Sequence, residues 1–335
     1  MLFNIWVTNN CNFRCRYCYV PQYMKNMEQD TADKVIDFIK EMAQLDEDKE
    51  IIINFHGGEP LLNFDLIQQI MGRCKKIFER KNLLFGITTN GSMLTKEIAE
   101  ILVDNFKYNL SISLDGSKEV NDFNRRHLDG SGTYDRIIDN LLYIKTLDPY
   151  VRVRVTYNTK TVRCIFNSIR HIVELGFKKI VAVPDFTDEN WNDKYVEILA
   201  EELELIYKRF YQIKDVDINI ISDDIRRKKS CCHGGKKSLN IDVDGNIFPC
   251  TWTIGNDEFL IGNINKGIDI DKVDELLSYS LKDIRECSGC NLKESCISNR
   301  CRMINKVITG DFCKIPEIRC EYNNIIYNLQ KKYSV

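Results

Sequence analysis

Six short apolar runs, most of them followed by an amphipathic stretch, occupy just over the first half of the chain and leave it few ways to fold. The runs cover residues 2–7, 51–55, 83–88, 109–114, 151–156 and 179–183, and their length and β-branched content read as strands. The stretches at 31–45, 65–80, 95–105, 133–147 and 162–175 carry apolar residues at three- and four-residue spacing, the periodicity of a helix with one buried face. Thr95, followed by Ile98, opens one of them behind a Gly-Ser turn. Strand-helix repeats of this length force parallel strands joined by right-handed crossovers. The expected fold class is therefore α/β, a partial (β/α)6 barrel, with ligand sites at the carboxyl ends of its strands. Residues 193–214 read as one long helix leading out of the barrel. The expected domains are 1–221, the barrel with this bridging helix, and 222–335, a small cysteine-rich unit.

The 335 residues are 44% apolar, enough for a proper core, and carry a net charge of -2. That balance argues against a nucleic-acid-binding face, and the basic run 226–229 reads as a solvated loop. No apolar stretch approaches the roughly 18 residues of a membrane span, and the first ten residues lack signal-peptide flanks; no membrane association is expected, and the cytoplasm is the expected location. The compositional anomaly is the 14 cysteines: three near the start, nine from Cys231 onward, and only Cys74 and Cys164 between. The last two sit in helix-like stretches and read as small buried hydrophobes.

The first three, Cys11, Cys15 and Cys18, directly follow the first strand in the run Cys-Asn-Phe-Arg-Cys-Arg-Tyr-Cys. Three thiolates ligate all but one iron of a 4Fe-4S cubane and leave that iron open to a small molecule. Zinc wants a fourth ligand, and no second Cys-x-x-Cys pair or nearby histidine supplies one. A disulfide fits poorly with an odd number of close thiols and no secretion signal. After the second strand comes His56-Gly57-Gly58-Glu59-Pro60. Its glycines permit close backbone approach, and its carboxylate can accept hydrogen bonds from an ammonium group. The third and fourth strands end in Thr88-Thr89-Asn90-Gly91 and Ser113-Leu114-Asp115-Gly116, with Asn124-Arg125-Arg126 shortly after. These polar strand ends suit ribose and carboxylate recognition, and equally suit capped turns.

Taken together, the cysteine triplet and the Gly-Gly-Glu-Pro turn resemble the radical S-adenosylmethionine enzymes, in which the open iron is chelated by S-adenosyl-L-methionine. The resemblance implies that Gly57, Gly58, Glu59 and Pro60 grip the methionyl amine, and that Asn90, Ser113 and Asp115 serve the ribose and methionine part. It further implies that Arg125 meets the carboxylate and that Tyr17 packs near the adenine.

The tail holds Cys231-Cys232-His233-Gly234-Gly235, then Asp242-Val243-Asp244-Gly245-Asn246, then Cys250. Asp-Gly between alternating apolar residues signals a β-hairpin with cysteines beyond its two ends. Cys287, Cys290, Cys296, Cys301, Cys313 and Cys320 follow. A zinc ribbon accounts for four of these positions, whereas nine cysteines with almost no histidine favour iron-sulfur ligation. The order resembles the SPASM extension of radical enzymes, which houses auxiliary 4Fe-4S clusters; three clusters in all are implied. By this resemblance a first auxiliary cluster takes Cys231 or Cys232 with Cys250 and Cys301, and a second takes Cys287, Cys290, Cys296 and Cys320. The four residues before Cys301, one more than the common spacing, let Cys301 and Cys313 trade places. Either Cys231 and Cys232 both ligate the first cluster, or one of its irons stays open to a substrate thiolate.

The expected activity is reductive cleavage of S-adenosylmethionine and hydrogen abstraction from a peptide or protein substrate, ending in a crosslink such as a cysteine thioether in a ribosomal peptide. An anaerobic sulfatase-maturing enzyme is the second reading. Its usual acid-base aspartate follows the post-hairpin cysteine, where this chain has Thr251-Trp252, which cannot take a proton as a carboxylate does. A non-catalytic iron-sulfur electron carrier is the third, and it has no use for an amine-gripping turn. The expected partners are a flavodoxin or ferredoxin as electron donor and a separate leader-peptide-binding protein, since the ten residues ahead of Cys11 hold no recognition domain. The general base is not identified, although Tyr157, Asp185 and Asp188 lie near strand ends.

Overall fold

The computed structural model describes residues 1–335 except 22, 46–49, 80, 229–230 and 334–335. Arg80, the expected end of one helix, and Lys229 of the basic run therefore lie outside the described residues. In chain order the main elements are β1 (Leu2–Thr8), α1 (Gln29–Leu45), β2 (Glu50–Gly57), α2 (Phe64–Ile77), β3 (Asn82–Thr89), α3 (Lys96–Asn105), β4 (Asn109–Ser113), α4 (Lys118–Asn124) and α5 (Tyr134–Leu147). There follow β5 (Arg152–Tyr157), α6 (Ile165–Glu174), β6 (Lys179–Pro184), α7 (Asp193–Phe210), β7 (Asp217–Ile218) and α8 (Asn219–Ser222). The tail holds β8 (Ser238–Ile241), β9 (Asn246–Phe248), β10 (Gly262–Asn263), β11 (Gly267–Ile268), α9 (Ile270–Ser278), α10 (Ile297–Arg300), α11 (Arg302–Thr309) and α12 (Glu317–Tyr333). The expected α/β class with a parallel sheet core is borne out. The bridging helix ends at Phe210, short of the expected residue 214, and α6 starts only after a 3-10 turn at Val162–Cys164.

The chain forms two compact units: Met1–Asn12, Tyr19–Leu110 and Cys232–Leu281 make the first, and Phe13–Cys18, Ser111–Cys231 and Lys282–Val335 the second. In the first, β1 lies parallel between β2 and β8, β3 runs parallel beyond β2, and β9, β10 and β11 add antiparallel strands beyond β8. The Asp-Gly signal does make the hairpin: Gly245 takes φ 79°, and Asp242 Oδ1 accepts the backbone N–H groups of Asp244 and Asn246. β1 is buried on both faces, with Phe3, Ile5 and Val7 on one and Asn4, Trp6 and Thr8 on the other. Phe55, Phe85 and Phe106 pack together, with ring centroids 6.1–6.3 Å apart.

Asn4 of β1 stands in register with Asn54 of β2 and Asn240 of β8, and Asn54 with Gly86 of β3. Asn54 Nδ2 donates to Asn4 Oδ1, Asn4 Nδ2 to Asn240 Oδ1, and Asn240 Nδ2 to the Phe248 carbonyl, at 2.9, 2.9 and 3.2 Å. Gly86 is required beside this ladder, because a Cβ there would meet Asn54 Oδ1 at 2.4 Å.

In the second unit β4, β5, β6 and β7 pair in parallel order. Val153, Val155, Ile180 and Ala182 are buried with Ile137, Leu141, Ile169 and Leu203 of the helices. On α7, Glu204 accepts hydrogen bonds from Lys332 and Lys208, which hold its carboxyl down at about 2. No helix is long and apolar enough to cross a membrane, among the described residues.

Candidate active site

β1 ends at Thr8, and the cysteine loop begins on the ends of its neighbours. Gly58 and Glu59 donate their backbone N–H groups to Thr8 O and Asn10 O, at 3.0 and 2.8 Å. A Cβ on Gly57 would lie 2.0 Å from Thr8 O and one on Gly58 2.3 Å from Asn10 O. The two glycines thus let β2 seat the loop that carries Cys11. Glu59 is 1% exposed. Its Oε1 accepts from Leu61 N and Thr89 Oγ1 and its Oε2 from Asn90 N, so the carboxylate ties the ends of β2 and β3 together. Pro60 starts a 3-10 turn behind it. Asn90 Nδ2 donates to Asn12 Oδ1 at 3.0 Å and reaches Cys11 Sγ at 3.9 Å, while Asn12 Nδ2 donates to Ser92 Oγ. Asn12 and Ser92 carried no sequence signal of their own. Also in this unit, Tyr19 and Trp252 stack with centroids 4.5 Å apart and planes at 7°.

In the second unit residues 13–18 lie along the segment after β4: Arg14 N donates to Arg126 O and Arg16 N to Asn124 O. Here Tyr17, Asp115 and Arg125 meet Cys15. Tyr17 Oη donates to Asp115 Oδ2 at 2.6 Å, and burial holds the Tyr17 phenol protonated, well above its usual range. Asp115 Oδ1 accepts from Thr156 N at 3.0 Å. Arg125 Nε stands 3.3 Å from Asp115 Oδ2, an ion pair outside hydrogen-bond geometry, and Nη1 donates to Cys15 Sγ at 3.7 Å. The guanidinium also lies 5.5 Å over the Tyr17 ring. Burial works against this cation, but Tyr17, Asp115 and Cys15 more than offset it, and its pKa is raised. Ser113 is buried at the end of β4. Of the base candidates, Tyr157 Oη is buried without a hydrogen-bond partner, Asp185 is pushed up by burial, and Asp188 accepts from Thr159.

The tail cysteines of this same unit form a second arrangement. Cys287, Cys290, Cys296 and Cys320 line one cavity of about 250 Å³ together with Lys293 and Lys314. Leu292 N donates to Cys290 Sγ and Asn323 Nδ2 to Cys296 Sγ, both at 3.4 Å, and Asn324 Nδ2 reaches Cys320 Sγ at 3.9 Å. Burial, followed by the nearby thiols of Cys296, Cys290 and Cys320, pushes Cys287 up to about 11. Among the described residues no three His, Cys, Asp or Glu side chains converge on a single ion. Four thiols around a cavity, each of three receiving an N–H, fit a thiolate-ligated cluster. Asn323 and Asn324 were missed from sequence, although their offsets of three and four from Cys320 put them on its helix face.

The other tail cysteines are divided between the units. Arg300 Nη1 donates to Cys231 Sγ at 3.7 Å in the second, as does Gly234 N to Cys232 Sγ at 3.4 Å in the first. Cys250 lies just ahead of the 3-10 turn Thr251–Thr253, and Cys301 between α10 and α11. Cys313 donates its N–H to Asp311.

Residues 5–148 match the Radical SAM superfamily. The chain carries a radical SAM domain. The radical SAM chain is 28% identical over 334 residues to a cysteine-type anaerobic sulfatase-maturating enzyme of Clostridium novyi, covering 88% of this chain and 86% of that protein. To the radical SAM cyclopropyl synthase TigE of Paramaledivibacter caminithermalis it is 24% identical, covering 96% of this chain and 69% of TigE. The structure of native anSMEcpe with bound AdoMet and Cp18Cys peptide superposes with a TM-score of 0.81 at 18% identity, covering 99% of this chain and 97% of that one. The domain is that of the radical SAM superfamily, and the likeness to the Clostridium novyi enzyme runs over most of the chain.

Proposed function

We propose that this radical SAM enzyme modifies a side chain of a peptide or protein substrate, with three clusters: one held by Cys11, Cys15 and Cys18 in residues 1–221, and two in residues 222–335. The observation that carries the reading is the cavity lined by Cys287, Cys290, Cys296 and Cys320, a second set of thiols apart from the N-terminal triplet, as the resemblance to peptide- and protein-modifying radical enzymes implies. When bound, the N-terminal cluster and S-adenosylmethionine supply one-electron cleavage of the sulfonium, releasing methionine and a 5'-deoxyadenosyl radical that takes a hydrogen atom from substrate carbon. The protein supplies orientation and exclusion of water. Asn90 and Arg125 hold Cys11 and Cys15 through N–H···S contacts. Glu59 fixes the strand ends that frame the cosubstrate.

The leading product is a crosslink, with a cysteine thioether as the chemistry, because Cys250 is followed by Thr251 and Trp252, where the resemblance implies the acid-base aspartate of a sulfatase maturase. Likeness over most of the chain to the Clostridium novyi enzyme favours formylglycine as the second reading. Reconstituted protein, reductant and S-adenosylmethionine are incubated with a cysteine-containing sulfatase peptide and, separately, with cysteine-containing ribosomal precursor peptides. A product that has lost two hydrogens and its free thiol, and does not react with a hydrazine, supports the crosslink. A hydrazine-reactive aldehyde on the sulfatase peptide overturns it in favour of formylglycine.

A further inference from the structure

We propose that Arg125 sets the reduction potential of the cluster bound by Cys15, with Asp115 as the counter-charge that limits the effect. The proposal rests on the assignment of a cluster to Cys11, Cys15 and Cys18. The resemblance implies a carboxylate-binding role for Arg125, yet its guanidinium turns Nη1 toward Cys15 Sγ and Nε toward Asp115. Both charged side chains are buried, at 6% and 1% exposure, where charges act through a lower dielectric than water and are felt strongly. The pair is not tightly closed. Asp115 Oδ2 accepts its hydrogen bond from Tyr17, Oδ1 accepts one from Thr156, and Arg125 Nε makes none to either. Asp115 thus offsets the cation in part, while Nη1 donates directly to the sulfur.

N–H···S bonds and nearby positive charge both favour the reduced state of an iron-sulfur site. That state holds one more electron, taken here from the external reductant and later passed to the sulfonium. Arg125 thus raises the potential and Asp115 lowers it. Tyr17, by sharing the Asp115 oxygen, weakens the counter-charge. Arg125 and Asp115 act on the chemistry through Cys15 and are positioning residues.

The test is an anaerobic dithionite titration of the full-length reconstituted protein without S-adenosylmethionine, followed by EPR. The N-terminal signal is the one whose shape changes when S-adenosylmethionine is then added. Arg125→Gln moves its midpoint to more negative potential, Asp115→Asn to more positive, and Tyr17→Phe slightly to more negative. An unchanged midpoint in Arg125→Gln at wild-type iron content overturns the proposal, as does movement of Arg125→Gln and Asp115→Asn in the same direction. Should both lose iron, Tyr17→Phe at full iron content decides: a negative shift supports the proposal and no shift overturns it. Weakened S-adenosylmethionine binding in Arg125→Gln with the midpoint unchanged gives Arg125 to the cosubstrate instead. A wild type with no S-adenosylmethionine-sensitive signal removes the cluster reading itself, and this proposal with it.

Discussion

Cys15 and the four cysteines of the tail cavity lie in the same unit, yet the protein holds them in different ways. Cys15 receives its N–H from a buried cation that is paired with a buried carboxylate, and that carboxylate is held in turn by a phenol and a backbone amide. Cys290, Cys296 and Cys320 receive theirs from a backbone amide and two asparagines, with lysines on the cavity wall. The first environment is built of charges that exist only because each has a partner. The second takes its N–H donors to sulfur from neutral dipoles, any one of which can be lost at small cost.

The comparison is tested most sharply by metal content. Cys296→Ala loses about four irons per chain from the reconstituted protein, read by iron and sulfide analysis; Cys74→Ala, whose side chain is buried in α2, loses none. Next, Asp115→Ala leaves Arg125 buried without its counter-charge and costs about 3–5 kcal/mol in anaerobic urea unfolding. Gly58→Ala drives a Cβ against Asn10 O and costs about 1–3 kcal/mol in the same measurement. Asn323→Ala, which removes only a neutral donor from Cys296, costs about 1 kcal/mol; a loss as large as that of Asp115→Ala breaks the contrast. The smallest effect is a null one. Burial pushes the Cys74 thiol up to about 12, so the folded state keeps it neutral through pH 9. Its contribution to stability is fully present below the unfolded thiol pKa and is lost only as pH rises toward 12. Native protein at pH 8.5 therefore leaves Cys74 unalkylated by iodoacetamide, while apoprotein labels at the exposed Cys290 and Cys320.

The strands and the helices of the repeat were legible because burial there follows period: β5 and β6 alternate, and Thr95 caps α3 by accepting from Ile98 N. The last helix, α12, gave no such signal, since Arg319, Asn323 and Gln330 are among its buried residues and polar side chains do not mark an apolar stripe. Helix α4, only seven residues long, is too short for its period to show. At the site, the cysteines were visible from spacing, whereas the partners of Glu59 and Asp115 were not. A carboxylate beside glycines looks alike in sequence whether it faces a ligand or, as Glu59 does, Thr89 and Asn90 of the next strand. The asparagine ladder was hidden for a related reason, because it exists only once three strands distant in sequence are set in register.

That ladder has a direction. The Phe248 carbonyl can only accept, so Asn240 must turn its amide nitrogen to it and its oxygen to Asn4; Asn4 then turns its oxygen to Asn54. Asn54 is left facing His56 Nε2 with an N–H, at 2.6 Å. The imidazole nitrogen it meets must carry a lone pair, which puts the ring proton on Nδ1. A hairpin carbonyl nearly two hundred residues away in the chain thus sets, through three asparagine amides, which group faces the histidine that opens the Gly57-Gly58 turn.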